Sequence, residues 1–133
     1  MSKIITKSQK KINSEKQMLF FYFILQTRGN ESEVSGDKLY GDINSTWFHH
    51  ILPKSKYPEL RYCVDNIIML TSDEHNAVEN GKEYDEVERR KADIQKRYDE
   101  LVEDTEYYVE NLLNPSYEHA VKNTVMFNKN QQK

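Results

Sequence analysis

The chain has 133 residues, of which 37% are hydrophobic and 31% are charged, a composition that suits one compact domain with a modest core. Its formal net charge of −3 does not by itself favour a nucleic-acid partner, and its single cysteine, Cys63, excludes an intramolecular disulfide and a cysteine-based zinc knuckle. No apolar run approaches the roughly 20 residues of a membrane span. We therefore expect a cytoplasmic protein without a membrane partner, in which Cys63 is a buried or half-buried thiol.

Charge is unevenly distributed along the chain. Residues 1–13 are polar and basic, and we predict a flexible tail there. Among the first 27 residues Glu15 is the only acid, whereas acidic residues accumulate from Glu83 to Glu110. This polarity suits a protein that binds DNA through one side, and it equally suits a soluble protein with a basic tail.

The first predicted element is a helix at residues 14–26, which ends near Gly29 and buries the apolar run at residues 18–25. Residues 28–46 carry repeated glycine turn signals. Within them, residues 38–40 are predicted to form a short strand.

Two strands are predicted next. β-forming side chains predict strands at residues 45–51 and 66–70, and two prolines mark the intervening residues 52–65 as a loop. We expect Trp47 and Phe48 to be core residues.

Helices are predicted for most of the remaining chain. Thr71 and Glu74 have the spacing of a capping box and begin a helix that ends at the Asn-Gly pair 80–81. A long helix is predicted over residues 83–103. Apolar side chains recur there and beyond at spacings of three, four or seven, which predicts a packing face or a dimer seam: Tyr84, Val87, Ile94, Tyr98, Leu101, Tyr108 and Leu112.

The C-terminal residues are predicted to be less ordered. Pro115 is expected to end the helical region, and residues 122–133 are rich in Asn and Lys and are expected to be loose. The predicted fold class is α+β, with a β-hairpin and a short helix flanked by an N-terminal helix and a long C-terminal helix. The predicted organisation is a basic tail at 1–13, a single domain at 14–114 with its core at 45–81, and a C-terminal extension at 115–133.

Four polar side chains lie on the predicted strand–loop–strand–helix unit. His49 and His50 end the first strand, Asn66 opens the second, and His75 lies in the first turn of the helix. Because the hairpin and the following turn bring the start of the helix close to the strands, His49 and His75 can converge on one divalent cation. His50 then remains free to deprotonate water, as hydrolysis of a phosphodiester requires.

The sequences WFHHILPKS at residues 47–55 and DNIIML at residues 65–70, followed by His75, resemble the HNH endonuclease family as found in phage and mobile elements. The resemblance is specific over residues 47–80. It implies a ββα-metal core and a metal-dependent enzyme that hydrolyses DNA phosphodiester bonds in a bacterial or phage-infected cell. A monomer with one such site should nick DNA, and RNA is left open as a substrate.

The resemblance also assigns roles to individual residues. It implies that His49 and His75 bind the metal, that His50 is the general base, and that Asn66 braces the base-carrying loop through backbone contacts. Some family members have a third histidine four residues after the last ligand, and this chain has Glu79 there. A carboxylate oxygen at that position favours Mg²⁺ or Mn²⁺, with Zn²⁺ or Ni²⁺ left open.

The chain departs from the family at the zinc knuckle that many members use to hold the fold. In place of two Cys-x-x-Cys pairs it has Ser32-Glu-Val-Ser35 and Thr71-Ser-Asp-Glu74. Hydroxyls and one carboxylate bind structural zinc poorly, so we predict no structural zinc.

Cationic side chains in the loop between the strands are candidates to bind phosphate: Lys54, Lys56 and Arg61. Arg61 is the strongest of them because a guanidinium can make bidentate contacts. The expected partner is DNA, and a homodimer through the long C-terminal helix is left open. Two other functions are also left open, a nucleic-acid-binding module without catalysis and a phage assembly protein that uses the apolar stripe.

Overall fold

The computed structural model describes the backbone of residues 7–131 and the side chains of residues 9–123. It is an α+β structure in which a two-stranded antiparallel hairpin lies among helices, as predicted. The strands are β1 (Phe48–His50) and β2 (Ile67–Met69), and the helices are α1 (Lys7–Arg28), α2 (Ser72–Glu79), α3 (Asp85–Lys96), α4 (Tyr98–Tyr108) and α5 (Asn114–Gln131). A π-helical turn, Val109–Leu113, joins α4 to α5.

Helix α1 is longer than the sequence predicted. It begins at Lys7 rather than near Ser14, so the predicted start of the helix is wrong, while the flexibility of residues 1–13 stays a prediction and residues 1–6 lie outside the described residues. Residues 7–13 contain no proline or glycine and several good helix formers, so the helix continues outward from its packed turns. Gly29, at φ 86°, ends the helix as predicted, and its N–H donates to the carbonyl oxygen of Leu25 at 2.9 Å. No helix among the described residues is long and apolar enough to cross a membrane.

The strands are shorter than predicted. β1 and β2 pair Phe48 with Met69, His49 with Ile68 and His50 with Ile67. Turns of 3-10 helix at Ser45–Trp47 and Val64–Asn66 replace the predicted first residues of both strands. Each turn bonds part of its backbone locally, and among the described residues only the carbonyl oxygens of Trp47 and Asn66 in these turns accept across the hairpin, from the N–H groups of Leu70 and Ile51, both at 2.8 Å.

The segments that connect these elements are mostly turns. Residues 52–65 form the predicted loop, which contains a 3-10 turn at Pro58–Leu60. The short strand predicted at residues 38–40 is reduced to one bridge between Glu31 and Lys38.

The hairpin is buried on both faces. Phe48, Ile67 and Met69 pack with a cluster that includes Phe20, Phe21, Ile24, Trp47 and Leu113. Ile68 and Leu70 point the other way and pack with a second cluster that includes Leu52, Leu60, Cys63, Val87, Ile94 and Leu101. The burial predicted for Trp47, Phe48 and Cys63 is confirmed.

Helix α2 begins and ends where the sequence predicted. The Thr71 hydroxyl accepts from the Glu74 N–H at 3.1 Å, and the Glu74 carboxylate accepts from the Thr71 N–H at 2.8 Å, which is a complete capping box. The helix ends at Glu79, and Gly81 follows at φ 97°. α2 therefore starts at a fixed position, with two residues between it and the end of β2.

The single long helix predicted at residues 83–103 is two helices, α3 and α4. They are separated at Arg97, whose backbone leaves the helical region at φ −104° and ψ 22°. The Arg97 guanidinium bonds Asp93 in α3 at 2.7 Å and Asp65 beside β2 at 3.2 Å. These bonds anchor the break to the hairpin.

Helical structure continues well past Pro115. The prediction that this proline ends the helical region is wrong, because α5 spans Asn114–Gln131, while the looseness of residues 122–133 stays a prediction. Pro115 is the second residue of α5 and follows the π-helical turn, so its missing N–H falls where a helix start tolerates it. Residues 132–133 lie outside the described residues.

Helix α5 packs back against α1. The Lys16 ammonium donates to the Asn114 side-chain oxygen at 2.8 Å, and the Tyr117 hydroxyl donates to Glu15 at 3.2 Å. The start of the predicted C-terminal extension is thus tied to the N-terminal helix.

Most of the predicted apolar stripe serves the core of this chain. Val87, Ile94 and Leu101 are buried, whereas the Leu112 residue is 54% exposed. The three buried residues are not available to a second copy, and a homodimer through other parts of these helices stays a prediction.

Candidate functional site

A cleft of about 600 Å³ lies where the hairpin meets α2. Its lining includes His49 and His50 of β1 and Lys54 of the following loop, together with Gln17 of α1 and Lys91 of α3. Elements that are distant in sequence therefore contribute to one concave surface, which is the usual form of a binding site.

Three side chains at the cleft form a cluster with the spacing of metal ligands. One ligand atom each of His49, His75 and Glu79 lies within 4.8 Å of the other two. The Glu79 carboxylate is 3.3 Å from Nε2 of His75 and 3.8 Å from Nδ1 of His49. His75 and Glu79 meet because they are four residues apart on α2. His49 joins them because the fixed start of α2 lies beside the hairpin.

The cluster fits a divalent cation. Ligands about 2.1 Å from one ion are no more than about 4.2 Å apart, so a movement of less than an ångström would complete the set. Two imidazoles and a carboxylate suit a transition metal such as Mn²⁺, Zn²⁺ or Ni²⁺ better than Mg²⁺, which prefers oxygen ligands. The Glu79 side chain is 63% exposed and is free to make this movement.

The two histidines of the cluster have different surroundings. Burial lowers the pKa of His49, the neighbouring His75 lowers it further, and Glu79 opposes both effects. A lowered pKa keeps the imidazole neutral, which is the form that binds metal. In His75 the second ring nitrogen, Nδ1, is buried and has no hydrogen-bond partner among the described residues.

His50, the next residue of β1, is held by the loop and not by the cluster. Its Nε2 lies 2.9 Å from the carbonyl oxygen of Arg61. Because a carbonyl only accepts, Nε2 carries the proton and Nδ1 keeps its lone pair in the neutral ring. Burial lowers the pKa of His50 to about 4, the bond to the Arg61 carbonyl opposes this, and the Lys54 charge lowers it further. His50 is therefore a neutral imidazole whose Nδ1 has a lone pair to accept a proton, and the residue lines the cleft.

Asn66 is fully buried and joins the two ends of the loop that separates the strands. Its amide nitrogen donates to the carbonyl oxygens of Leu52 at 3.0 Å and Leu60 at 3.3 Å, and its side-chain oxygen accepts from the Leu52 N–H at 2.8 Å. Asn66 does not belong to the metal-ligand cluster. It fixes the loop that leaves β1 directly after His50.

The three loop cations occupy different positions. Lys54 lines the cleft and donates to the Gln17 side-chain oxygen at 3.0 Å. Arg61 reaches the same oxygen at 3.4 Å, and its backbone carbonyl holds His50. Lys56 is exposed and does not line the cleft.

Sequence reasoning did not assign several residues of the cleft to a site, among them Gln17 and Lys91. Gln17 lies in α1, outside any motif, and only its hydrogen bonds to Lys54 and Arg61 reveal its position. Lys91 belongs to the charged surface of α3, and no local pattern distinguishes it from the neighbouring Lys and Arg residues.

Residues 32–35 and 71–74, the positions of the zinc-knuckle cysteines, form a hydrogen-bonded cluster. The Ser32 hydroxyl accepts from the N–H groups of Val34 and Ser35, both at 3.1 Å. Burial acts to raise the pKa of the Glu74 carboxyl, but hydrogen bonds from Ser32, Thr71 and Ser35 outweigh burial and lower it. These contacts join residues 32–35 to the start of α2.

The cleft thus combines a candidate metal cluster, a neutral imidazole and two lysines. This set can bind an anionic substrate beside a cation and remove a proton from a nucleophile. No protein-family model, curated protein or solved structure matches the chain.

Proposed function

We propose that the protein is an HNH-type endonuclease that hydrolyses phosphodiester bonds in DNA with the help of one divalent metal ion. The observation that carries the proposal is the position of neutral His50 beside the cluster of His49, His75 and Glu79 in one cleft. A phosphodiesterase needs a proton acceptor and a centre of positive charge within reach of the same phosphate. The sequence resemblance to HNH endonucleases points to the same residues.

The proposed reaction divides the work among these side chains. Nδ1 of His50 takes a proton from water, whose oxygen then attacks phosphorus in line as the bond to the 3′ oxygen breaks. His49, His75 and Glu79 would hold the cation, and the 3′ oxygen takes a proton from solvent as it leaves. A bound divalent cation stabilises the negative charge that develops on the phosphate and on the leaving oxygen. The products carry a 5′ phosphate and a 3′ hydroxyl.

Local charge offsets the overall acidity of the chain at this site. The net charge is −3, yet Lys54 and Lys91 line the cleft and Arg61 lies beside Lys54. These cations would bind phosphates near the one that is cut. RNA offers the same phosphates and is the second substrate to test.

The test is conversion of supercoiled plasmid to open circle with Mn²⁺ or Mg²⁺, and then with Zn²⁺ or Ni²⁺. We expect wild type to nick and His50→Ala to lose about 100-fold or more in rate, as loss of a general base does. His119→Ala is the matched control, because His119 is exposed on α5 and bonds only Asn123 among the described residues. It should nick like wild type.

Other outcomes would reject or revise the proposal. Wild type that is inert with every metal, on DNA and on RNA, would favour a binding module or an assembly protein. Equal cutting by wild type and His50→Ala would indicate a contaminant or a different base. Linear plasmid that forms without an open-circle intermediate would show two sites acting together, as in a dimer.

A further inference from the structure

Two cations of the loop converge on one uncharged oxygen. The side-chain oxygen of Gln17, on α1, accepts from the Lys54 ammonium at 3.0 Å and lies 3.4 Å from a terminal nitrogen of Arg61. Burial lowers the pKa of Lys54, and the charge of the neighbouring Arg61 lowers it further because like charges repel. An amide oxygen carries only a partial charge and compensates neither cation fully.

Arg61 differs from the other arginines of the chain in having no carboxylate partner among the residues that the structure describes. Among the residues with described side chains, each of the other four arginines forms an ion pair, and neither Arg61 nor Lys54 does: Arg28, Arg89, Arg90 and Arg97. The Nε atom of Arg61 is also buried and has no hydrogen-bond partner within this described part. An unpaired arginine with a buried, unsatisfied N–H is costly unless a ligand completes it.

The geometry of the guanidinium indicates what ligand would complete it. Nε–H and one terminal N–H of an arginine lie along one edge, which binds carboxylate or phosphate with two parallel hydrogen bonds. Within the described part of the chain, this edge of Arg61 makes only the long bond to Gln17. A phosphate that displaced the Gln17 oxygen would contact Arg61 and Lys54 together.

We propose that Lys54 and Arg61 form a subsite for a backbone phosphate next to the one that is cut, and that the Gln17 side-chain oxygen occupies this subsite until nucleic acid displaces it. Lys54 lines the same cleft as the histidine cluster, and the Arg61 carbonyl holds His50. The subsite therefore lies beside the proposed base. The choice of nucleic acid as the source of the phosphate rests on the proposed function.

The test measures binding of the full chain to a short labelled DNA duplex by fluorescence anisotropy, with EDTA present and over a range of salt concentrations. We expect Lys54→Ala to weaken binding about tenfold and to reduce the slope of log K against log salt by about 0.9, the loss of one phosphate contact. Lys56→Ala is the matched control, because it removes the same charge two residues away, outside the cleft. It should leave the slope unchanged.

Two variants of Gln17 separate displacement from a packing role. Gln17→Glu places a carboxylate between the two cations, so binding should weaken about tenfold. Gln17→Ala removes the competing oxygen, so binding should be equal to or tighter than that of wild type. If Gln17 only supported the packing of α1, both variants would lose affinity and thermal stability together.

The remaining outcomes decide against the subsite. Absence of DNA binding, a wild-type slope for Lys54→Ala, or equal losses for both Gln17 variants would overturn it. If inorganic phosphate competes with DNA for wild type, but the slopes of log K against log salt are equal for wild type and all variants, the site binds free phosphate and not the DNA backbone. The plasmid assay tests the proposed function separately. If the protein cuts DNA but the variants do not bind as expected, only the subsite is rejected. If the variants bind as expected but the protein does not cut, only the nuclease activity is rejected.

Discussion

The side chain of Asn66 pairs with the backbone of Leu52, donating to its carbonyl oxygen at 3.0 Å and accepting from its N–H at 2.8 Å. These two hydrogen bonds have the same donor and acceptor pattern as a residue pair in a sheet, although β1 has already ended at His50. They tie the start of the loop after His50 to the turn that precedes β2. The loop, which supplies the carbonyl bonded to His50, is thus held at both ends by one buried amide, in addition to its own backbone bonds.

We expect Asn66→Ala to lower the free energy of unfolding by about 3 kcal/mol, because it leaves buried N–H and C=O groups of Leu52 without partners. Urea denaturation followed by circular dichroism measures the change. Asn111→Ala is the control, since Asn111 is exposed and makes one bond to Tyr107. It should change stability by no more than about 0.5 kcal/mol. Equal effects of the two substitutions would show that Asn66 does not brace the loop.

Metal binding at His49, His75 and Glu79 should stabilise the fold. At a concentration of Mn²⁺ about 100-fold above its dissociation constant, we expect about 2.7 kcal/mol of added stability, which EDTA reverses. His75→Ala should abolish the shift in melting temperature, and Glu79→Ala should reduce it. Asp73→Ala is the control, because it removes an exposed acid of α2 outside the cluster. A shift that survives in His75→Ala would place the ion elsewhere.

Glu33 covers the edge of β2 that β1 leaves free. Its N–H donates to the Met69 carbonyl oxygen at 2.8 Å, and its carboxylate accepts from the Met69 N–H at 2.7 Å. Arg28 and Arg90 flank the carboxylate, each at 3.2 Å. Arg28 also donates to the carbonyl oxygen of Ile67 at 2.5 Å, so side chains satisfy an edge that would otherwise be open.

We expect Glu33→Ala to destabilise the protein by about 2 kcal/mol, because the Met69 N–H loses its acceptor and Arg28 and Arg90 each lose one of theirs. Hydrogen exchange gives the specific readout, since the Met69 amide should exchange faster in this variant. Glu31→Ala removes an exposed carboxylate two residues away and should leave that amide protected. If Met69 exchanges equally in both variants, Glu33 does not cover the edge.

The Glu74 cluster should make stability depend on pH. Hydrogen bonds hold the pKa of Glu74 below its ordinary value, so its contribution to stability is present at neutral pH and is lost as the pH falls through the folded-state pKa. The free energy of unfolding should therefore be higher for wild type than for Glu74→Gln at pH 7, and the difference should disappear in acid. Urea denaturation at several pH values measures it, with exposed Glu83→Gln as the control. A difference that grows in acid would contradict the assigned direction.

Local signals in the sequence predicted the elements that depend on neighbouring residues. The capping box of Thr71 and Glu74 and the glycines at positions 29 and 81 act within one helical turn, so they could be read directly. The extent of α1 and the helix beyond Pro115 could not be read in this way. Residues with weak preferences become helical there because adjacent turns are packed, and a proline is tolerated because it falls at the start of a new helix.

The sequence by itself determined which side chains are available for chemistry: His49, His50, Asn66 and His75 were identified from residue type and spacing. Only the tertiary structure decided how they are used, because their partners lie far away in the chain. Gln17 reaches Lys54 and Arg61 across the packing of α1 on the hairpin, and the bond between Arg61 and His50 exists only once the loop has closed. Such contacts depend on the whole core, so they have no local pattern that a sequence can display.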